Sequence, residues 1–405
     1  MARLGVDFGT SNTGVAVMAA GRPYAIPLEP GAATLPTAVF VDFADRRYVY
    51  GSAAAHAMMD GAEGRFMRAL KSILGTPLAR EPRRLLNERL TLIEVIARFL
   101  AEIRSRAEAH TGMRFDAALS GRPVHFHSAS AEKDAQALAD LTEAYQLAGF
   151  QSVEFLPEPE AAALAVDGGG RMLIVDIGGG TSDFTICDRH GDRTEVLASG
   201  GIRLGGTDFD KALSLAHAMP LLGHGAQIGA ELGAKTHAAP RALFNDLASW
   251  EKIPFVYDAG LLREVQRWIR LSPEPHLFER LADVLESHLG HDIAYAVEAG
   301  KIAANGADSG EIALSVVERG LSVDLSAAAL TEALTGYGEE IATCALDTLK
   351  TAGCPPDSVD QVVYVGGSSL LSAVRSAMTR ALPDARPVDS EVFTAVVHGL
   401  AIAAE

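Results

Sequence analysis

The chain has little cysteine. Its 405 residues include three, Cys187, Cys344 and Cys354, so any one disulfide would leave an odd thiol. No Cys-x-x-Cys occurs, which disfavours a zinc ribbon and a thioredoxin-type redox site. A reducing compartment is the plain expectation. Basic charge is also scarce: 35 Lys plus Arg stand against 52 Asp plus Glu, a formal net charge of −17. Nucleic-acid binding and anionic-membrane binding both need a basic face, so no nucleic-acid or membrane partner is expected. A phosphorylated ligand stays compatible, because backbone N–H groups and a metal ion neutralise one locally. The N-terminal MARLGVDFGTSNTG lacks a basic segment followed by an apolar run, and Asp7 falls where that run would lie. It does not read as a signal peptide. No uncharged apolar stretch approaches the roughly 18 residues of a membrane helix. There is no G-x-S-x-G elbow and no low-complexity linker. These absences together predict a cytoplasmic protein.

What is present is globular: 48% hydrophobic with 21% charged. The length suits two or three domains, or one large two-lobed domain with a core that needs no staples. The leading feature is an internal echo. Residues 4–17 read LGVDFGTSNTGVAV and residues 173–186 read LIVDIGGGTSDFTI. Each has a β-branched strand ending in Asp, a Gly-rich turn carrying Thr-Ser, and a second short apolar strand. Both predict hairpins, and the repetition predicts a duplicated α/β domain with a cleft between its copies. Further strands are expected at TAVFVD, RRYVYG, PVHFHS and TEVLASGG. Helices are expected at about 91–110 and 131–148, in a long region after the turn LGGTDFD, and in the Ala-rich C-terminus. SVDQVVYVGGSSLL reads as a buried strand, a glycine turn and a helix start.

A phosphate-binding hairpin needs glycines so that the backbone approaches the ligand and aims successive N–H groups at it. Gly9, Thr10, Ser11 and Asn12 form one such tip; Gly178, Gly179, Gly180 and Thr181 form the other. The Asp closing each preceding strand, Asp7 or Asp176, stands where it would hold Mg²⁺ directly or through water. Either hairpin alone reads more readily as a plain glycine turn capped by its Asp. Two matching hairpins point to phosphate.

These hairpins, with FLPEPEAAALAV at 155–166, LASGGIRLGGTDFD at 197–210 and VVYVGGSSLL at 362–371, resemble the motifs of the actin, hexokinase and heat shock protein 70 superfamily. They are most similar to the ATPase domain of DnaK-type heat shock protein 70 chaperones. The segment FNDLASWEKIPFVYD at 244–258 and the chain length resemble the short YegD-like branch, which lacks the substrate-binding domain. The resemblance implies an α/β, two-lobed actin-like ATPase, a duplicated ribonuclease-H-like domain with a nucleotide cleft between the lobes. It implies lobe I at 1–166 with a return at 385–405, and lobe II at 167–384 with an enlarged outer subdomain at about 211–310. It implies ATP/ADP and Mg²⁺ as cofactors, with Asp7 and Asp176 around the metal.

Residue by residue, Lys71 of RALKSILG matches the lysine that reaches the γ-phosphate and attacking water, and Glu158 matches the glutamate near that water. Asp176 and Thr181 complete the catalytic set, and Asp183 matches a further acid. Read without the family, Lys71 is equally an ordinary lysine on an amphipathic helix, Glu158 a loop acid and Asp183 a turn cap. The glycine pair Gly205 and Gly206 is expected against the phosphates. Glu298 and Lys301 match the ribose and adenine contacts, Asn305 stands among them where the family often carries serine, and Gly366, Gly367 and Ser368 match the turn beneath them. Ile302 and Leu370 stand where the chaperones usually carry adenine-stacking arginines, and Phe393 where they often carry Asp, which implies a weaker grip on adenine.

The aromatics of the extra segment, Phe244, Trp250, Phe255, Tyr257 and Trp268, read as core or as a binding surface. GAELGAKT at 229–236 nearly spells a P-loop, but Ala234 replaces its second glycine. His125 with His127, and His288 with His291, lack a third ligand for a metal site. The expected function is a Mg-dependent ATPase switch, chaperone-like but without a peptide clamp, with unspecified protein partners or co-chaperones. A small-molecule kinase on the same fold, a filament protein and a non-hydrolysing scaffold are the alternatives.

Overall fold

The computed structural model describes residues 3–166, 169–190, 193–230, 236–389 and 394–405. Phe393 and positions 231–235 of the near-P-loop lie outside them. The chain divides into two compact units, Met1–Gly206 with Tyr337–Glu405, and Thr207–Gly336.

The first unit contains two sheets of one plan. In the first sheet, Arg3–Phe8 pairs antiparallel with Asn12–Ala19, which pairs antiparallel with Arg22–Ala25. On its other side Arg3–Phe8 runs parallel to Ala117–Arg122, which runs parallel to Ser152–Pro157. Thr34–Pro36 adds to Asn12–Ala19 as a sixth strand. In the second sheet, Gly170–Ile177, Ser182–His190 and Arg193–Ile202 repeat the antiparallel run. Gln361–Val365 and Arg386–Asp389 repeat the parallel flank. The echo seen over two short stretches therefore extends to whole sheets. The central strands are near-continuous apolar runs because helices cover them: Leu173, Ile174 and Val175 are all fully buried.

Helix Leu92–Thr111 is bounded by a Thr91–Glu94 capping box and by Gly112 in the left-handed conformation. Ser130 caps Ala131–Leu147 through the Lys133 N–H. Helices Glu158–Ala165 and Ala395–Ala403 pack together through small residues. At Gly399 a Cβ would lie 1.7 Å from the Ala161 carbonyl oxygen, so only glycine permits this approach.

Three local expectations are corrected. PVHFHS is not a strand: the strand is Ala117–Arg122, and the chain leaves the sheet at Pro123, which has no N–H for a ladder. His125 is consequently exposed and His127 buried, rather than sharing a face. LGGTDFD is only in part a turn, since a helix begins at Gly206 and runs to Leu213. The region after it is broken into short helical pieces and a small hairpin, Gln227–Gly229 with Thr236–Ala238. In addition, Arg386–Asp389 extends the second sheet, and Ala395–Ala403 packs against the first.

The second unit holds helices Arg241–Leu247, Ala259–Leu271, Pro275–Glu286 and Gly290–Gly306, and the hairpin Ser309–Ala313 with Ser322–Ser326. Its aromatics answer the question left open by the sequence. Phe244, Trp250 and Trp268 are buried, and Trp268 meets Phe278 edge-on at 5.7 Å. They are core. No helix among the described residues is long and apolar enough to cross a membrane. All three cysteines are free.

Gly399→Ala is expected to destabilise the protein by about 3 kcal/mol or more, since the obstructing atoms are backbone. Gly336→Ala, in the exposed interior of Ala327–Thr351 with nothing near the added methyl, should stabilise by about 0.5–1 kcal/mol. Denaturant melts of the two variants check both signs.

Candidate phosphate site

Five charged side chains in the first unit gather around the ends of the two central strands. Asp7 lies opposite Gly14 near the end of its strand. Asp176 lies opposite Asp183 near the end of the equivalent strand. Glu158 is the first residue of its helix, at the junction after strand Ser152–Pro157, and Gly121 on the neighbouring strand leaves it room. Lys71 stands on the one-turn helix Leu70–Ile73, which follows Ala69 held at φ 59. A non-glycine residue in that region is strained, and the surroundings must hold it there. Asp140 accepts the Gly75 N–H at 2.9 Å and an Arg80 N–H at 2.6 Å, while His127 Nε2 meets the Leu74 carbonyl at 2.7 Å. The turn is thus fixed just beyond Lys71.

Lys71 is buried, and its Nζ donates to Glu158 Oε1 at 2.5 Å. Glu158, Asp176 and Asp183 are buried, and Asp7 is partly so. One ammonium therefore faces four carboxyl groups. Burial, then the charge of Glu158, push Asp7 up to about 7 against the pull of Lys71. Asp183 is pushed up to about 8 by the same two causes, although it accepts the Val124 N–H at 2.6 Å. Burial and its acidic neighbours hold Asp176 well above the usual carboxylate range. For Lys71 burial works against the charge, but Glu158, Asp7 and Asp183 together raise it. The lysine is fully charged and the acids are short of counter-charge.

The glycine tips meet. A Cβ on Gly179 would fall 2.5 Å from Ser11 Oγ, and one on Gly205 would fall 2.6 Å from the Gly180 nitrogen. Gly206 N–H donates to the Gly178 carbonyl at 2.9 Å, so the 205–206 pair lies against the second tip. Gly366, at φ 77, places its Cα beside the end of the Asp176 strand: a Cβ there would sit 2.3 Å from the Ile177 carbonyl oxygen. Ser368 Oγ lies close to Gly206, 2.5 Å from a Cβ built there. Thr10 is buried, Ser11 half-buried and Asn12 exposed. Asp7, Gly9 through Asn12, Lys71, Glu158, Asp176, Gly178 through Thr181, Asp183, Gly205, Gly206 and Gly366 through Ser368 all belong to this one unit.

Glu298, Lys301 and Asn305 belong to the second unit, on helix Gly290–Gly306. Lys301 is buried there, and its Nζ donates to Asp210 Oδ1 at 2.6 Å. Asp210 also accepts Trp250 Nε1–H at 3.0 Å. Ile302 and Leu370 are exposed, at 64% and 40%. Sequence reading did not single out Asp210 or Arg203; both lie in the LGGTDFD-bearing segment, and a cation just before a glycine pair was the available signal for Arg203.

The donor set bears on magnesium. Among the described residues no group of three or more Asp, Glu, His or Cys side chains is disposed to hold an ion. The acids instead surround a space short of positive charge. That fits a cation held largely through its own water, as Mg²⁺ prefers.

Asp183 generates a pH prediction. Its carboxyl keeps its proton to about 8 in the folded state, against the ordinary 3.8. The folded chain therefore binds more protons than the unfolded one between those values, and stability falls as pH rises through that window. Asp183→Asn should match the parent near pH 4 and gain melting temperature over it progressively toward pH 8. Thermal melts of both proteins across that range, without added divalent ion, check the sign.

With this geometry in place, residues 80–228 match the family model described as Hsp70 protein. That stretch contains Glu158, the second glycine tip and the 205–206 pair, and the match supports an ATP-binding ATPase of the Hsp70 superfamily.

Proposed function

We propose that this chain is a Mg-dependent ATP hydrolase that works as a nucleotide-driven conformational switch, with a chaperone-like output of the short YegD-like type. The observation that carries it is the Lys71–Glu158 pair at 2.5 Å, set among Asp7, Asp176 and Asp183 beside two facing glycine tips. The reaction is in-line attack of water on the γ-phosphoryl group, in which positioning and charge do most of the work. The backbone N–H groups of the tips and the hydroxyls of Thr10 and Thr181 hold phosphate oxygens. Lys71 Nζ, fixed by Glu158, offsets the charge that develops on the transferred group. Glu158 also offers a carboxylate oxygen to accept a proton of the attacking water and so orient it. Asp7 and Asp176 would hold Mg²⁺ through its water shell. The ion, when bound, neutralises phosphate oxygens on the leaving side.

The adenosine contacts are proposed from the sequence motifs: Glu298, Lys301, Asn305, Gly366, Gly367 and Ser368. The moving parts are proposed to be two lobes, 1–166 with the C-terminal return and 167–384, and the repeated sheet plan supports that duplication.

Single-turnover cleavage of ATP with Mg²⁺ tests the reading. The parent should cleave slowly, and Lys71→Ala should lower the rate by about 10²–10³-fold while nucleotide binding, followed in the same samples, persists. Tight binding without cleavage by the parent would leave a scaffold, or a kinase awaiting its acceptor.

A further inference from the structure

Beyond the turn that carries Lys71 lies a carboxylate that the mechanism above does not use. Asp140, on helix Ala131–Leu147, is fully buried. Its Oδ2 accepts the Gly75 N–H at 2.9 Å. Its Oδ1 accepts Arg80 Nε–H at 3.0 Å, Arg80 Nη2–H at 2.6 Å and Gln136 Nε2–H at 2.7 Å. Gln136 lies one turn earlier on the same helix, so the remote donors are Gly75 and Arg80.

Those two donors bracket the arc that follows Lys71. The one-turn helix Leu70–Ile73 leads through Leu74 and Gly75 into helix Pro77–Arg80, so Asp140 grips the arc in its middle and at its end. Gly75 makes this possible, since at φ 73 a Cβ on it would run into the Lys133 carbonyl oxygen of helix Ala131–Leu147. The other grips are single bonds to neutral carbonyls, from His127 Nε2 to Leu74 and from Arg203 Nη2 to Ser72, each at 2.7 Å. Asp140 differs in kind. A buried carboxylate is costly to leave unsatisfied, and a bond between two ions is stronger than a neutral one, so Asp140 and Arg80 hold each other firmly. Arg80 also reaches Glu143 at 2.9 Å, but that pair is half-exposed on both sides and adds little. Firm anchoring has a use here. Ala69, immediately before Leu70, is strained at φ 59 and relaxes if the arc is released.

We infer that Asp140 and Arg80 are positioning residues for Lys71: their ion pair pins the arc so that the ammonium stays on Glu158. Both act through Lys71. Their effect on turnover rests on the ATPase reading; the placement of Lys71 does not.

The test reads Lys71 with no nucleotide present. The full chain is acetylated with an N-hydroxysuccinimide ester at fixed pH, and the rate at each lysine is followed by peptide mass spectrometry. Lys301, buried on Asp210 in the second unit, is the internal control. Arg80→Ala and Asp140→Asn should each raise the rate at Lys71 at least about tenfold and leave Lys301 unchanged, a selectivity that general loosening of the chain would not give. Arg80→Lys should recover part of the protection, and Glu143→Ala should match the parent. In single turnover with ATP, Arg80→Ala should lower cleavage about tenfold with nucleotide affinity kept, and should lower it no further in a Lys71→Ala background. Unchanged acetylation of Lys71 in Arg80→Ala and Asp140→Asn, or equal acceleration at Lys71 and Lys301, would overturn the inference. So would an effect of Arg80→Ala on cleavage that persists in full without Lys71. Selective release of Lys71 in a chain that never cleaves ATP would uphold the positioning role and overturn the ATPase reading alone.

Discussion

Everything in the candidate site turns on one buried ion pair. Lys71 brings an ammonium into a space shared with Glu158, Asp7, Asp176 and Asp183, and burial makes each of those charges expensive. The pair at 2.5 Å satisfies one acid and leaves three under-compensated. A fold does not collect such a deficit for stability, because apolar residues of the same volume would cost less. The deficit is what the proposed function requires, in which a divalent ion would relieve the acids and Lys71 with the glycine tips would hold the phosphate.

Close backbone approach is what lets this pair exist. Helix Ala395–Ala403 lies against Glu158–Ala165 at glycine distance, and this seats the helix whose first residue is Glu158. Gly179 and Gly205 bring three backbone segments within van der Waals range, which crowds N–H groups into one place. Ala69 is the exception, a residue with a side chain in a left-handed conformation, retained at the point where the chain must present Lys71. Strain and small residues are thus concentrated where charges must converge.

The second unit uses a buried ion pair differently. Lys301, Asp210 and Trp250 form a closed set in which each polar group meets another, embedded in an aromatic core. Burial raises the Asp210 carboxyl, while the ammonium of Lys301 and the indole N–H pull it back. Here one ammonium meets one carboxylate that a second donor also satisfies, whereas around Lys71 the acids outnumber the ammonium.

The sequence by itself determined the plan: two Asp-terminated strands followed by Gly-Thr-Ser turns announced two equivalent hairpins, and apolar residues at helical spacing marked the helices at about 91–110 and 131–148. Those signals are local, because hydrophobic period, turn chemistry and caps act over a few residues. It also supplied Asp7 and Asp176 from the repeated hairpins, but Lys71, Glu158 and Asp183 only by resemblance, since Lys71 and Glu158 are 87 positions apart and each alone is an unremarked charge. The tertiary structure decided what distance in sequence conceals. It made Lys71 buried rather than a helix-surface lysine, turned the insert's tryptophans inward, ended the strand before PVHFHS, and set Arg203 on the Ser72 carbonyl beside Lys71. Each of these depends on desolvation and on contacts between remote segments, and neither is written in the spacing of residues along the chain.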